Sequence, residues 1–454
     1  MFRRIQQKLL IDRPLFYALA ARIWQALSGP ISIMLVIVSL TAAETGVYYG
    51  LGAIIGIQVF FELGLLNILI SQVGYAVASG SGNDDSSLRL QGNSPTRPIA
   101  KNEKLGNLIH ASERWFFGAS ILFGLSALVF GWITLHKAND SIAWKEVLIA
   151  HVIISSMAFA LAPSQAILEG AGQRETVYRV RFFQAVTGSF AVWLALILGL
   201  KLWAVVVSAV VQVGWMSYLR FGLEATFFSQ SRKLTTGPAR FSWTREILPL
   251  QWRMAVGSVA YFLATQLFVV IILYYESDIA AGQLGLTLSI MSAIQMAALA
   301  WVQTNFSVVS IQNGLGNREA AGTHWRKIAA VSSILLFFAL CSFIVVVSLL
   351  PLFEHGFEYR FITPTQIAIY SIGCLANHCF AFQSFYVLSR GGKPFLMATV
   401  VGYLTTAMAV WIGGAFHGIT GLLLCYTLSM VLFCLPLHTW AYLRFRQQQI
   451  GSTS

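Results

Sequence analysis

The sequence predicts an all-α polytopic membrane protein with about twelve transmembrane helices, divided six and six. Three observations carry this. The 454 residues are 57% hydrophobic and only 11% charged, where a soluble domain carries roughly 25% charge, and mean hydropathy is +0.69. The apolar residues fall into runs near the ~20 residues that a helix needs to cross a bilayer. The basic residues are shared unequally between alternate loops, as the positive-inside rule requires of a correctly mapped chain.

The stretch MFRRIQQKLLIDRP is basic and opens an apolar run over 15–40. That run exceeds the ~7–15 residues of a signal-peptide core, so it reads as an uncleaved first span entered from the cytoplasm. Further spans are expected at 47–71, 112–136, 143–166, 177–200, 202–220, 247–274, 279–304, 328–352, 364–388, 394–414 and 418–441. With the N-terminus inside, Lys137, Lys145, Lys201 and Arg360 are the only ones of the 30 Lys and Arg residues that fall in outer loops. Both termini are therefore expected in the cytoplasm, and the net charge of +12 is a consequence of topology that calls for no nucleic-acid partner. The two longest loops, about 79–106 and 222–245, both face inward. The first, GSGNDDSSLRLQGNSPTRPIAKNEK, has a composition expected to be flexible. The second divides the chain into an N-terminal six-helix lobe (1–221), a cytoplasmic linker (222–245) and a C-terminal six-helix lobe (246–454).

Several function classes are disfavoured. The outer loops are short, which argues against a polysaccharide polymerase or a lipid-sugar glycosyltransferase with a large external catalytic loop. Cys341, Cys374, Cys379, Cys425 and Cys434 lie in apolar stretches without a CxxC or zinc-type Cys–His spacing, so they read as small packing residues and no metal site is expected. No Walker A sequence occurs, so ATP hydrolysis is not expected in this chain. No catalytic residue and no cofactor are assigned, and the chain reads as a non-enzyme.

Two halves that both start inside suggest a duplication. Arg22 and Arg253 hold similar places in spans 1 and 7. AAETGVYYGLGAI leads into span 2 and SDIAAGQLGLTLSI into span 8, while LEGAGQRETVYRVR and LSRGGKPF form Gly-basic turns between spans 4–5 and 10–11. The segments TGVYYGLGAIIGIQVFFELGLLN, ILEGAGQRETVYRVRFFQ and LPLQWRMAVG resemble the polysaccharide-transporter branch of the MOP exporter superfamily, which includes O-antigen flippases, lipid II flippases and MATE drug exporters. The resemblance covers the whole chain through the span layout; the long 79–106 loop is its one departure. It implies two six-helix lobes around a central cavity, alternating access and, in the flippases, a sugar chain on a polyprenyl pyrophosphate as cargo.

Candidate site residues are the polar groups inside spans. At about 1.5 Å per residue, Arg22 and Arg253 lie roughly 10 Å and 9 Å from the inner ends of their spans, and Glu62 roughly 13 Å. An arginine level with Glu62 would offset the cost of burying its charge. Arg22 and Gln25 share a face of span 1, Gln58 and Glu62 are four apart in span 2, Arg253 and Tyr261 lie along one stripe of span 7, and Gln295 is polar in span 8. If spans 1, 2, 7 and 8 face each other, as the resemblance implies, these residues line one wet cavity. By the repeat, Glu62 falls opposite Ala297 or Ala298, so the second lobe lacks a matching carboxylate. Arg253 is then expected to contact cargo phosphates and Glu62–Arg22 to form a structural or gating pair. Glu169 and Arg174 read as turn chemistry.

The expected function is an alternating-access flippase for a polyprenyl-pyrophosphate-linked oligosaccharide in a bacterial inner membrane. Its partners would be that lipid-linked sugar and the bilayer, with Na+, H+, membrane potential or the cargo gradient supplying energy. The alternative is a MATE-like ion-coupled drug or cation exporter, which would need acidic residues in its cavity.

Overall fold

The computed structural model describes residues 13–80, 103–139, 141–233, 247–314, 318–353, 358–389 and 396–451. The basic N-terminal start, most of the 79–106 loop, the second half of the 222–245 linker (from 234) and the 390–395 turn lie outside the described residues.

Among the described residues the chain forms helices and short turns, with no strand. Helix α1 is Arg13–Ser39. Helix α2 runs Ala42–Gly56 and Val59–Glu62, then resumes as Leu65–Gly80. Helix α3 is Glu103–Leu135, and α4 is Trp144–Leu161 continued by Pro163–Gly170. Helix α5 is Arg174–Ile197. Helix α6 is Trp203–Ser217, followed by a π-helical turn Tyr218–Leu223 and Ala225–Lys233. Helix α7 is Leu248–Thr265 plus Phe268–Tyr275, α8 is Asp278–Gly314, α9 is Arg318–Leu349 and α10 is Pro364–Ser389. The last helical stretch breaks at His417–Gly418 into α11 (396–417) and α12, which ends with Leu435–Gly451. Each expected span thus coincides with helix, and among the described residues eight helices, or ten with the two bent pairs, are long and apolar enough to cross a membrane.

Two differences from the expected spans are informative. Helices α3, α8, α9 and α12 outrun their apolar cores, at Glu103, Gly314, Arg318 and Gly451. Hydropathy marks the lipid-embedded part of a helix, whereas backbone hydrogen bonding continues into water. Spans 2 and 7, expected as continuous, are each bent, by 44° and 47°. In α2 the break is a left-handed C-cap. Leu63 adopts φ 52°, Gly64 follows at φ 68°, and the Leu63 N–H bonds the Val59 carbonyl. Local hydrogen bonding of this kind lets a broken helix survive at membrane depth.

The chain divides into two compact units, one of residues 1–35, 54–133 and 143–258, the other of 36–53, 134–142 and 259–454. In the first unit, Phe116 and Phe123 of α3 meet Phe159 of α4 edge to face, at ring-centroid distances of 5.2 and 5.7 Å. The other face of α3 leaves Phe117, Ile121, Leu125 and Val129 exposed. An apolar stripe of that length suits a surface set against lipid. Helix α1 docks on α5 through indoles: Trp24 donates to Ser189 Oγ (3.2 Å) and Trp193 to Ser32 Oγ (2.8 Å). Arg220 of the π-helical turn is buried. It pairs with Glu113 (2.5 Å), donates to Ser164 Oγ (2.9 Å) and lies over the Phe228 ring. This buried charge is thus paired and hydrogen-bonded, the condition for tolerating it.

In the second unit, α2 starts backbone-to-backbone against α8. A Cβ on Gly46 would overlap the Asp278 carbonyl, and one on Gly282 the Ala42 carbonyl. Arg360 donates to the Ile37 and Leu40 carbonyls at the end of α1, where a cation also meets the negative end of the helix dipole. Burial pushes its guanidinium down from the ordinary value, and Glu44 opposes this. Phe268, Tyr370 and Tyr426 form an aromatic cluster with centroids 5.2–6.1 Å apart. Helix α12 begins at Gly418, φ 58°, and its first free N–H, that of Ile419, is capped by the Glu276 carboxylate at 2.9 Å.

Candidate functional site

Within the first unit, a cavity of about 380 Å³ opens between α2, α4, α5 and α6, a size in the range of small-ligand pockets. Its polar wall comes from Gln58, Glu62 and Asn67 of α2, Gln165 and Glu169 of α4, Arg181 of α5 and Gln212 of α6. Phe159, Leu66, Ile70 and Met216 add apolar surface. The local fold explains the convergence. The α2 break follows Glu62 directly: Gln58 and Glu62 face the cavity before it, and Leu66, Asn67 and Ile70 continue the wall beyond it. Pro163 opens the second segment of α4, a position where its missing N–H costs little, and that segment carries Gln165 and Glu169 on one face. The turn before Arg174 then returns the chain as α5, placing Arg181 beside them.

The charges of the cavity are unevenly matched. Arg181 donates through Nε to Gln165 Oε1 (2.9 Å), and its Nη1 lies 3.2 Å from Glu169 Oε2. The Tyr178 hydroxyl donates to Glu169 Oε1 at 2.7 Å, and Arg181 lies over the Tyr178 ring. Glu169 Oε2 has no aligned hydrogen bond, so its hold on Arg181 is mainly one of charge. Among the described residues, Nη2 of Arg181 and the carboxylate of Glu62 have no partner. The side-chain amides of Gln58, Asn67 and Gln212 likewise have none among them. Asn67 is exposed and Gln58, Glu62, Arg181 and Gln212 are half-buried, so water can reach these groups, and a polar occupant can take its place. A carboxylate with several amide oxygens suits a small cation or a proton, while Arg181, engaged through Nε and Nη1, keeps only Nη2 for an anion.

The structure sorts the expected site residues into different places. Gln58 and Glu62 are together in the cavity. Arg22 and Gln25 are exposed on α1 and are not part of the cavity wall. The expected Glu62–Arg22 pair is not formed. Depth along the membrane normal fixes the height of a side chain and leaves its direction open, and α2 turns Glu62 toward α4–α6. Tyr261, in the second unit, packs edge-on against Tyr403, with centroids 5.3 Å apart. Gln295 is half-buried on α8. Arg253 lies in α7, and its side chain is outside the described residues. Asn67, Gln165, Arg181 and Gln212 were missed, and Glu169 belongs to the cavity network as well as to its turn. Gln212 was legible as a lone amide in the apolar run VVQVG. Arg181 was not, because its partner lies across a helical hairpin.

No metal-ligating group of three or more His, Cys, Asp or Glu occurs among the described residues. The five cysteines are unbridged.

No family model matches the sequence, and no curated protein sequence matches it. Solved structures do resemble the fold. An inward-facing multidrug resistance MATE transporter of the MOP superfamily matches with TM-score 0.60 and 13% identity, over 97% of this chain and 96% of that one. The eukaryotic MATE transporter AtDTX14 matches with TM-score 0.61 and 16% identity, over 97% and 96%. The lipid II flippase MurJ, in an inward closed conformation, matches with TM-score 0.55 and 11% identity, over 92% and 87%. The chain therefore has, along nearly its whole length, the helical fold seen in MOP-superfamily transporters.

Proposed function

We propose that the chain is an alternating-access transporter that flips a polyprenyl-pyrophosphate-linked oligosaccharide across a bacterial inner membrane. Its working lobes would be 1–221 and 246–454, with both termini in the cytoplasm. The fold supports a transporter. The observation that carries the choice of cargo is that only Glu62, of the two carboxylates in the described cavity, lacks a basic partner among the described residues. Glu169 is neutralised by Arg181 and the nearby Glu113 by Arg220, which leaves Glu62 alone to attract a cation. An exporter of large organic cations would need more negative charge than that, whereas an anionic head group needs arginines. Arg253, at the expected depth in the repeat, is the arginine assigned to the cargo phosphates.

The deciding experiment is deletion of the gene. Lipid-linked sugar should accumulate on the cytoplasmic leaflet, and the intact gene should clear it. Normal distribution of that lipid, with raised sensitivity to cationic drugs, would reverse the choice of cargo. A MATE-like exporter is the second reading, and the unpartnered Glu62 carboxylate favours it.

A further inference from the structure

The second unit carries a cluster of aromatic and amide side chains that the reading above leaves without a task. Tyr261 of α7 stands about fourteen residues into its span, roughly 21 Å from the inner end, where an interfacial aromatic belt does not reach. It is 43% exposed, shares a helix face with Thr265, and its hydroxyl has no hydrogen bond among the described residues. A phenol turned to hydrocarbon at that depth would leave the hydroxyl unsatisfied at high cost, so this face belongs to a wetted surface. Tyr403 of α11 meets the Tyr261 ring edge to face, with centroids 5.3 Å apart. Its hydroxyl donates to Oδ1 of Asn377 on α10 at 3.4 Å. Phe380 packs on both Tyr403 and His438, and those two are buried, so Tyr403 is held in place. With Oδ1 occupied, Asn377 keeps Nδ2 as a donor that has no partner among the described residues. We propose that Tyr261 and Asn377 form a sugar-binding subsite, in which a pyranose ring of the lipid-linked cargo stacks on Tyr261 and a sugar oxygen accepts from Asn377 Nδ2. The inference rests on the flippase reading and names residues that recognise the sugar.

The chemistry of the cluster decides the ligand class. Tyr403 is the only ring in contact with Tyr261 among the described residues. One neighbour covers at most one face of a ring, so the other face of Tyr261 is open. A pyranose has a face of C–H groups, which suits the negative face of an aromatic ring, and a rim of hydroxyls, which suits amides and phenols. Tyr261 offers the ring face and its own hydroxyl, and Asn377 offers the N–H donor. None of these side chains is an acid. An organic cation would therefore find a ring face but no counter-charge, and the Asn377 donor would be turned toward it. Tyr403 is a positioning residue: it touches both partners, setting the tilt of the Tyr261 ring and the direction of the Asn377 amide. Groups already held in their binding geometry lose less freedom when a ligand arrives. Each contact is modest by itself. It becomes effective because the anchored pyrophosphate keeps the sugar nearby, which turns the second contact into an intramolecular one.

The test uses the full chain in detergent and two probes: the lipid-linked sugar extracted from cells lacking the gene, and sugar-free polyprenyl pyrophosphate of the same chain length. Wild type should bind the sugar-bearing probe about tenfold more tightly. Tyr261→Ala should bring the two affinities level, and Tyr261→Phe should keep most of the difference. Asn377→Ala should reduce it to about threefold. Tyr403→Phe keeps the ring contact but lets the amide turn, so it too should fall to about threefold; a merely structural role would weaken both probes alike. Equal affinities in the wild type, or an undiminished ratio in Tyr261→Ala, overturn the proposal. Binding of tetraphenylphosphonium that depends on Tyr261, with no effect of the sugar, assigns the ring to a cation and overturns it as well. Transport in proteoliposomes separates the subsite from the flippase. If wild type flips the lipid-linked sugar and Tyr261→Ala does so with unchanged KM, the subsite falls and the flippase stands. Wild-type protein that flips neither lipid overturns the flippase, and the subsite with it.

Discussion

Glu62 and Glu113 are both carboxylates within helical passes, and the structure gives them opposite roles. Glu113 compensates a buried arginine at 2.5 Å, so Glu113→Gln leaves Arg220 unmatched. A loss of about 3 kcal/mol is expected, visible as a lower melting temperature in detergent. Glu62 compensates nothing among the described residues, so Glu62→Gln should leave stability within about 0.5 kcal/mol of wild type and alter only transport and its ion dependence. A large loss of stability in Glu62→Gln would mean that its carboxylate has a structural partner. Arg253→Ala is expected to abolish transport at unchanged protein abundance, by removing a phosphate contact; retained transport in a complementation assay would take Arg253 out of the site. Glu62 and Gln58 were legible in the sequence because a charge and an amide stand out in an apolar run. Their partners were not legible, because which neighbouring helix a side chain faces depends on rotation about the helix axis.

Two breaks control how the elements are aimed. Leu63 holds a left-handed conformation, φ 52°, which costs an L-residue roughly 1–2 kcal/mol. A β-branched side chain fits that region worse still, so Leu63→Val should destabilise by a further ~1 kcal/mol, read as a shift in thermal unfolding. Strain kept in this way at the end of the Gln58–Glu62 turn is consistent with a break that serves the site. At the start of α12, Gly418 has φ 58°, and a Cβ there would stand 2.5 Å from Glu276 Oε2. Gly418→Ala should therefore cost about 1–3 kcal/mol, through both strain and loss of the Ile419 cap. The FHGIT sequence carries a glycine where α11 and α12 separate, and the expected boundary between spans 11 and 12 fell there. The α2 break was missed although ELG holds the same kind of signal. Continuous hydrophobicity on both sides outweighed one glycine, and hydropathy is blind to a bend that keeps the chain in lipid.

Across the whole molecule, the prediction concerns sidedness. A cysteine at Lys201, beside the α5–α6 turn, should react with an impermeant thiol reagent added to intact cells, and a reporter fused after Ser454 should behave as cytoplasmic. Protection of Lys201→Cys with an external C-terminal reporter would invert the map. The sequence by itself determined the all-helical membrane class, the order of the helices and the charge asymmetry between loops. These follow from transfer free energies summed along the chain, which need no knowledge of neighbours. Only the tertiary structure decided that Glu62 stands without Arg22, that Arg181 enters its cavity, that Arg220 is held by Glu113, and that Arg360 closes the end of α1. Each of these depends on which helices pack together and in what rotation, and that choice is made by side-chain packing and close backbone approach between segments as far apart in sequence as Gly46 and Gly282.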